Sequence, residues 1–167
     1  GEELWFYYAA FSGESEKLGP GDTGEARGRD HAIYAGASAG LAVLRRDGFV
    51  SMDAEADGGM LQTRPVVFKG RHLFVNAALG DGDLRADVLD EDGMPVEPFT
   101  HDHCIPVQGD STRTRVTWQG ADDLSALAGR PVRFRFHLTE GRLYAFWVSP
   151  SPQGQSNGYL AAGGPGL

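Results

Sequence analysis

The chain has 167 residues, including 24 glycines and 9 prolines, which is enough for one domain with its own core and favours short elements joined by turns over a helical bundle. A formal net charge of −8 disfavours binding to nucleic acids and to anionic membranes, so we expect neither as a partner. The single cysteine, Cys104, cannot form an intramolecular disulfide, and no apolar run approaches the roughly 20 residues of a membrane-spanning helix. The start at Gly1, without a Met or a signal-peptide pattern, leads us to expect a processed chain or an excised fragment.

An aromatic-rich apolar run, residues 4–11, opens the sequence and predicts an interior strand that is covered on both faces. Residues 13–30 are rich in glycine and charged side chains and have no apolar period, which predicts a flexible loop. Asp47-Gly48 then separates two apolar segments, residues 40–46 and 49–52. This dipeptide fits the positive φ angles of a type I′ turn, so we expect a β-hairpin there.

Short strands separated by turn residues fill the middle of the sequence. Residues 65–68 and 72–77 are two predicted strands with a turn between them. Along residues 84–88, apolar and charged side chains alternate. We therefore expect the apolar members to face the core and the charged members, Arg85 and Asp87, to face solvent.

The clearest alternation lies in residues 132–138, which we predict to form a half-buried antiparallel strand. Its core-facing side chains are Val132, Phe134, Phe136 and Leu138. After a turn, residues 143–148 form a predicted strand that is apolar on both faces, and Trp118 is expected in the core. Residues 122–129 have an acidic start and a terminal glycine, which predicts one helical turn of the 3-10 type.

Strands recur about every 8 to 12 residues with turn residues between them. We therefore predict an all-β fold, an antiparallel β-sandwich of the jelly-roll type with one short helical turn. Residues 1–47 are expected to form amino-terminal strands with a flexible loop, residues 48–150 the sandwich, and residues 151–167 a Gly/Pro-rich tail without regular structure.

Several stretches resemble the carboxy-terminal region of bacterial proteins related to five-bladed β-propeller glycoside hydrolases, the group that includes invertases, levanases and inulinases. They are residues 4–11, GLAVLRRDGFVSMDA at 40–54, TRPVVF at 63–68, and DLSALAGRPVRFRFHL with GRLYAFWV within 123–148. The DGF turn resembles the join between the last propeller strand and an appended β-sandwich. The resemblance therefore implies that residues before about Asp47 are the remnant of a final blade, which cannot bury its apolar faces without neighbouring blades.

The resemblance also implies a carbohydrate context and an extracellular or periplasmic location. The catalytic acids of such enzymes lie in earlier blades, and the sequence contains neither a Trp-Met-Asn-Asp-Pro stretch for the nucleophile nor a Glu-Cys pair for the general acid. Arg29-Asp30 is followed by His31 where the transition-state-stabilising motif would have proline. We therefore expect no catalytic residues and no catalysis by this chain alone.

Two clusters contain residue types that bind metal ions, and we assign a metal or other cofactor to neither. The first is His101, Asp102, His103 and Cys104. Two imidazoles leave a zinc site incomplete, so we interpret this stretch as a solvated loop and its cysteine as a small buried apolar residue. The second is Asp81, Asp83, Asp90, Glu91 and Asp92. A structural calcium ion is the alternative there, but the neighbouring glycines indicate turns and the EF-hand spacing is absent.

The candidate residues for binding a glycan or an anion are Arg113, Arg115, Arg133, Arg135, Tyr144 and Trp147. The four arginines lie on the outer faces of two predicted strands and would form one basic patch if those strands pair; otherwise they are ordinary exposed side chains. The two aromatic residues fall on opposite faces of one strand, so at least one of them must be covered by a loop, a partner or a sugar ring.

Three functions are consistent with these features. The leading hypothesis is a non-catalytic accessory β-sandwich that braces the propeller domain of a parent protein, or that packs on a second copy of itself. The alternative is a carbohydrate-binding module that grips a polysaccharide with exposed aromatic and arginine side chains. A glycosidase in its own right ranks last, because it would require two closely spaced carboxylates in a cleft.

Overall fold

The structure is a computed structural model that describes residues 2–11 and 36–156. The regular secondary structure of these residues is β-strand apart from one turn of 3-10 helix, which confirms the predicted all-β fold. The chain divides into two compact units whose boundary lies between Leu44 and Arg45, close to the boundary predicted after residue 47. The loop predicted at residues 13–30 lies outside the described residues.

The first unit contains a two-stranded sheet made of β1 (Glu3–Ala10) and β2 (Ser38–Arg45), whose last residue belongs to the second unit. Ser38 Oγ donates to the carbonyl of Ala10, and a Cβ at Gly40 would collide with the ring of Tyr8. The two strands are therefore antiparallel. The predicted first strand is confirmed, but its predicted burial is wrong, because most of its side chains are exposed.

The second unit consists of two antiparallel sheets, as expected for a sandwich. Sheet A has the strand order β3 (Met52–Ala54), β9 (Gly141–Ser149), β5 (His72–Ala78) and β7 (Asp110–Arg115). Sheet B has the order β4 (Gly59–Gln62), β8 (Arg133–Thr139) and β6 (Asp83–Leu89). Consecutive strands from β3 to β9 thus alternate between the two sheets.

The core lies between the sheets and follows the predicted alternation. The side chains predicted to face it from the two strands of sheet B are all buried: Leu84, Ala86, Val88, Val132, Phe134, Phe136 and Leu138. Phe146 of sheet A contacts Phe134 and Phe136 of sheet B, with ring centroids 5.8 and 5.0 Å apart. Trp118 is also buried in this core, as predicted.

The turn at Asp47-Gly48 is present, but the predicted hairpin around it is wrong. Gly48 N donates to the carbonyl of Arg45 at 3.0 Å, and Asp47 has a φ of 52°. The flanking strands separate, because β2 pairs with β1 whereas β3 pairs with β9. A turn dipeptide specifies only a local reversal of the chain. Which strands pair with each other depends on the burial of side chains further along the chain.

Two other local predictions have mixed outcomes. The predicted helical turn is confirmed as a 3-10 turn at Ser125–Leu127. The strand predicted at residues 65–68 is reduced to a single bridge between Val66 and Val132. Within the part of the chain that the structure describes, no helix has the length and apolar character needed to span a membrane.

Candidate functional site

Tyr144 and Trp147 both lie on the outer face of sheet A, not on opposite faces as predicted. Strands β9 and β5 pair residue by residue up to Asn76, where β9 contains one extra residue, Tyr144. Such a β-bulge shifts the in-and-out alternation by one position. The interpretation from a strict period of two therefore failed at this point.

Trp147 is covered by the segment that follows β9. Its Nε1 donates to the carbonyl of Gly154 at 3.0 Å, and its ring stacks on Phe74 with 5.6 Å between centroids. Gly154 has a φ of +77°, and a Cβ at this position would lie 2.7 Å from the Phe74 ring. Only 8% of Trp147 is exposed, so this ring is not available to stack on a sugar.

The covering segment is held by side-chain bonds and not by regular structure. Ser149 Oγ donates to the carbonyl of Gln155 at 2.7 Å and accepts from Ser151 N at 3.1 Å. The described part of the predicted Gly/Pro-rich tail, residues 151–156, thus has no strand or helix and packs on the sandwich.

A polar network, which we call the Asn76 network, occupies the other end of this outer face. Asn76 is 1% exposed; its Oδ1 accepts from Arg45 Nε at 2.6 Å, and its Nδ2 donates to the carbonyl of Arg46 at 2.7 Å. Arg45 also bonds to Asp110 and lies over the ring of Tyr144, 4.9 Å from its centroid. One face of this ring is therefore occupied. The sequence signal for the network is an asparagine inside an otherwise apolar strand.

The four candidate arginines do not form one basic patch. Arg113 and Arg115 lie in β7 of sheet A, whereas Arg133 and Arg135 lie in β8 of sheet B, so the condition for a shared patch is not met. Three of the four donate side-chain hydrogen bonds within the chain. The acceptors are the carbonyl of Asp122 for Arg115, the carbonyl of Thr63 for Arg133 and the carboxylate of Asp87 for Arg135.

A second charged cluster lies on the outer face of sheet B, around Asp87. The prediction that this residue faces solvent is wrong: its side chain is 2% exposed and accepts from Arg135 Nε at 2.9 Å and from Nη2 of the same residue. Those hydrogen bonds raise the pKa of Arg135 above its usual value. His137 Nε2 lies 3.6 Å from Asp87 Oδ1, and burial lowers the pKa of His137. A buried carboxylate is retained here because a guanidinium pairs with it.

The His101–Cys104 stretch packs against this cluster. The His101 ring meets the His137 ring edge to face, with centroids 4.8 Å apart. Cys104 is buried, as predicted, and its Sγ accepts from Ala86 N at 3.2 Å; burial raises the pKa of this thiol and disfavours the reactive thiolate. No group of three or more His, Cys, Asp or Glu residues in the described ranges is arranged to hold a metal ion.

An open cavity of about 520 Å³ lies beside the 3-10 turn. Its lining includes three carboxylates, from Glu97, Asp122 and Asp123. Asp123 accepts from Ser125 N at 2.8 Å, and the hydrogen bonds from Ser125 lower the pKa of Asp123; Glu97 Oε2 lies 3.2 Å from the imidazole of His103. A glycosidase general acid requires a raised pKa, so Asp123 is unsuited to that role.

Exposed apolar side chains are concentrated at the start of the chain. Ten of the fourteen large exposed apolar residues in the described ranges precede residue 53. One face of the β1–β2 sheet, which we call the apolar face, consists of Trp5, Tyr7, Leu41 and Val43, which are 56%, 77%, 45% and 51% exposed. These four share a face because Tyr8 and Gly40 meet on the opposite one.

Comparison with known proteins adds no further assignment: neither a family model nor a curated protein nor a solved structure matches this chain. The resemblance to propeller-associated proteins therefore stays a prediction.

Proposed function

We propose that this chain is a non-catalytic accessory module whose β1–β2 strand pair docks into a larger β-sheet body that the sandwich braces. The sequence resemblance points to a β-propeller of the glycoside hydrolase type as that body. The observation that carries the proposal is the apolar face of β1–β2, whose four side chains are 45% to 77% exposed. Apolar surface of this kind on a protein is typical of an interface.

A two-stranded sheet needs cover, since an isolated pair of strands is at best marginally stable in water. Full burial of each large apolar side chain would contribute about 1.5–3 kcal/mol. The opposite face is also aromatic, since the 54% exposed ring of Tyr8 lies over Gly40. A sheet that is apolar on both faces is typical of a layer between two others, which favours a propeller blade as the occupied position.

The sandwich supports a bracing role through its first residues. Arg45 and Arg46, the first two residues of this unit, are both bonded to Asn76 of the sandwich. Val50 and Met52, next in the chain, are 78% and 56% exposed and add apolar surface at the edge strand β3. Exposed apolar side chains at this edge add to the surface that a larger body could cover.

The two alternatives have less support in the geometry. Carbohydrate binding would depend on Trp147, which Gly154 covers, and on Tyr144, which has Arg45 over one face of its ring. Hydrolysis would depend on the cavity carboxylates, two of which, Glu97 and Asp123, already have partners within the loops.

Dye binding and light scattering on matched variants test the proposal. We expect the parent chain to bind 8-anilinonaphthalene sulfonate and to associate, because its apolar face is uncovered. The test variant carries Trp5→Ser, Tyr7→Ser, Leu41→Ser and Val43→Thr. The control carries the same number of substitutions at exposed apolar residues of the sandwich, Met60→Ser, Val67→Thr, Met94→Ser and Ile105→Thr.

The test variant should lose dye binding and association, and the control should keep both. A parent chain that is strictly monomeric and binds no dye would overturn the proposal. So would equal effects of the two variants, because the exposed surface would then not be concentrated on β1–β2.

A further inference from the structure

A small cavity lies between the segment 121–124 and sheet A, at the start of β5 and the end of β7. Its lining includes His72 of β5 and Arg115 of β7. The cavity offers about 10 Å³ of space to the centre of a water molecule. A single buried water requires about 10–15 Å³ of such space. The cavity is therefore the size of one water molecule.

Hydrogen bonds hold the walls of this cavity together. Leu124 N donates to the carbonyl of Arg71, the residue before β5, at 2.7 Å. Arg115 Nη2 donates to the carbonyl of Asp122. The segment 121–124 is thus bonded both to the start of β5 and to the end of β7, so the cavity belongs to the folded structure.

Two polar atoms of the lining residues are buried and have no hydrogen-bond partner among the described residues: His72 Nδ1 and Arg115 Nε. Arg115 pairs with Phe74, and His72 lies two residues before Phe74, so both side chains lie on the same, outer face of sheet A. A buried polar group without a partner costs free energy, and buried water molecules commonly bond to such groups.

The two groups are complementary to a single water molecule. Burial and the nearby charge of Arg115 lower the pKa of His72, so its ring is neutral at neutral pH and one ring nitrogen accepts a hydrogen bond. The guanidinium Nε–H of Arg115 can only donate. A water molecule accepts from one group and donates to the other, which satisfies both.

The charges around the cavity favour water over an ion. Two cations, Arg71 and Arg115, and two carboxylates, Asp122 and Asp123, belong to the lining. Hydrogen bonds from Ser125 lower the pKa of Asp123, so this carboxylate is ionised at neutral pH. The lining thus carries no net charge for an ion to neutralise, which favours a neutral ligand.

We propose that this cavity is a structural water site, in which one water molecule accepts a hydrogen bond from Arg115 Nε and donates one to His72 Nδ1. The water links the side chains of β5 and β7 across the outer face of sheet A. It also completes the bonding of Arg115, which holds the segment 121–124 through the carbonyl of Asp122. Such waters are part of the fold, because their removal leaves buried polar groups without partners.

Nuclear Overhauser spectra of the full chain at neutral pH, recorded in the laboratory frame and in the rotating frame, test the site. The Hε proton of Arg115 should show a cross-peak to water that changes sign between the two spectra, which identifies a long-lived bound water. Proton exchange with bulk solvent gives the same sign in both. Arg135 is the internal control, because its Nε bonds to the two carboxylate oxygens of Asp87 at 2.9 and 3.1 Å. Its Hε should show no cross-peak that changes sign.

A variant at His72 tests the second bond of the water. His72→Phe keeps an aromatic ring but removes the acceptor Nδ1, so it should abolish the Arg115 cross-peak. His101→Phe is the matched control, since it makes the same replacement at an imidazole that contacts His137 on sheet B. It should leave the cross-peak intact. The comparison of Arg115 with Arg135 in the parent chain remains decisive even if His72→Phe does not fold.

Three results would overturn the proposal. The first is a parent chain in which the Arg115 cross-peak does not change sign. The second is a cross-peak that survives in folded His72→Phe. The third is a shift of the Arg115 Hε resonance when chloride replaces sulfate at constant ionic strength, because an anion would then occupy the cavity instead of water.

Discussion

Asn76 Oδ1 accepts a 2.6 Å hydrogen bond from Arg45 Nε, and the amide of the same asparagine donates to the backbone of the next residue, Arg46, at 2.7 Å. One buried side chain thus fixes both a cation and a backbone carbonyl on the outer face of sheet A. These bonds lie at the point where the chain leaves β2 and enters the sandwich. The sandwich unit therefore begins at residues that are fixed on its own sheet.

Replacement of Asn76 should weaken the sandwich. Asn76→Ala leaves the carbonyl of Arg46 and Nε of Arg45 without these partners in a half-buried site, so we expect the free energy of unfolding to fall by about 1–3 kcal/mol. Asp110→Asn is the control, because the Asp110 side chain is 66% exposed and its ion pair with Arg45 should contribute at most about 1 kcal/mol. Urea unfolding measures both; equal losses would show that Asn76 has no special role.

Gly154 should be intolerant of any side chain. Gly154 and Gly93 have similar φ angles, +77° and +83°. A Cβ added at Gly154 would collide with the Phe74 ring. A Cβ added at Gly93 would have no atom of the described residues within 4 Å. We expect Gly93→Ala to cost about 1 kcal/mol for the backbone alone and Gly154→Ala to cost about 1–3 kcal/mol more. Gly154→Ala should also shift tryptophan fluorescence to the red as Trp147 becomes wet. Equal costs would contradict the covering role.

Stability should fall on mild acidification. Burial is the main cause that lowers the pKa of both His137 and His72, and nearby arginines add to it. In the unfolded chain both imidazoles have a pKa of about 6.5. Below that pH the unfolded chain therefore binds more protons than the folded chain. The free energy of unfolding decreases as the pH falls, until the pH has passed the folded-state pKa values. Urea midpoints at about pH 7.5 and about pH 5 measure the loss, and His137→Gln should reduce it. A midpoint that rises on acidification would contradict this assignment.

Polysaccharides should not retard the chain. Trp147 is covered and one face of Tyr144 is occupied, so we expect unchanged mobility in affinity electrophoresis through gels that contain fructan, xylan or arabinan. If a polysaccharide retards the chain and Tyr144→Ala abolishes that retardation, the result would support carbohydrate binding and contradict the bracing function.

The sandwich core could be predicted from the sequence because strict alternation leaves one solution for burial. Phe134, Phe136 and Leu138 all lie where the period of two places them. The same rule failed for Tyr144, because a bulge inserts one residue and a single sequence has no signal for it. It also failed for Asp87, whose burial depends on Arg135 in a strand 48 residues away.

The candidate surface was harder to predict than the core. The aromatic run of β1 correctly indicated a strand, but apolar composition alone does not say which chain covers it. Trp5 and Tyr7 are exposed here because the described residues place a single partner strand beside them and no layer over their face. The asparagine within β5 signals a buried polar group, but the Asn76 network was missed because its partners, Arg45 and Arg46, lie some 30 residues away in the sequence.

Hydrogen exchange of β1 and β2 tests the central claim most directly, at a concentration at which light scattering shows a monomer. An uncovered strand pair should exchange its amides close to the intrinsic rates, while β5 and β8 of the same molecule stay protected. Amides of β1 and β2 that are protected as strongly as those of β5 in the monomer would show that the pair needs no further cover, and would contradict the account.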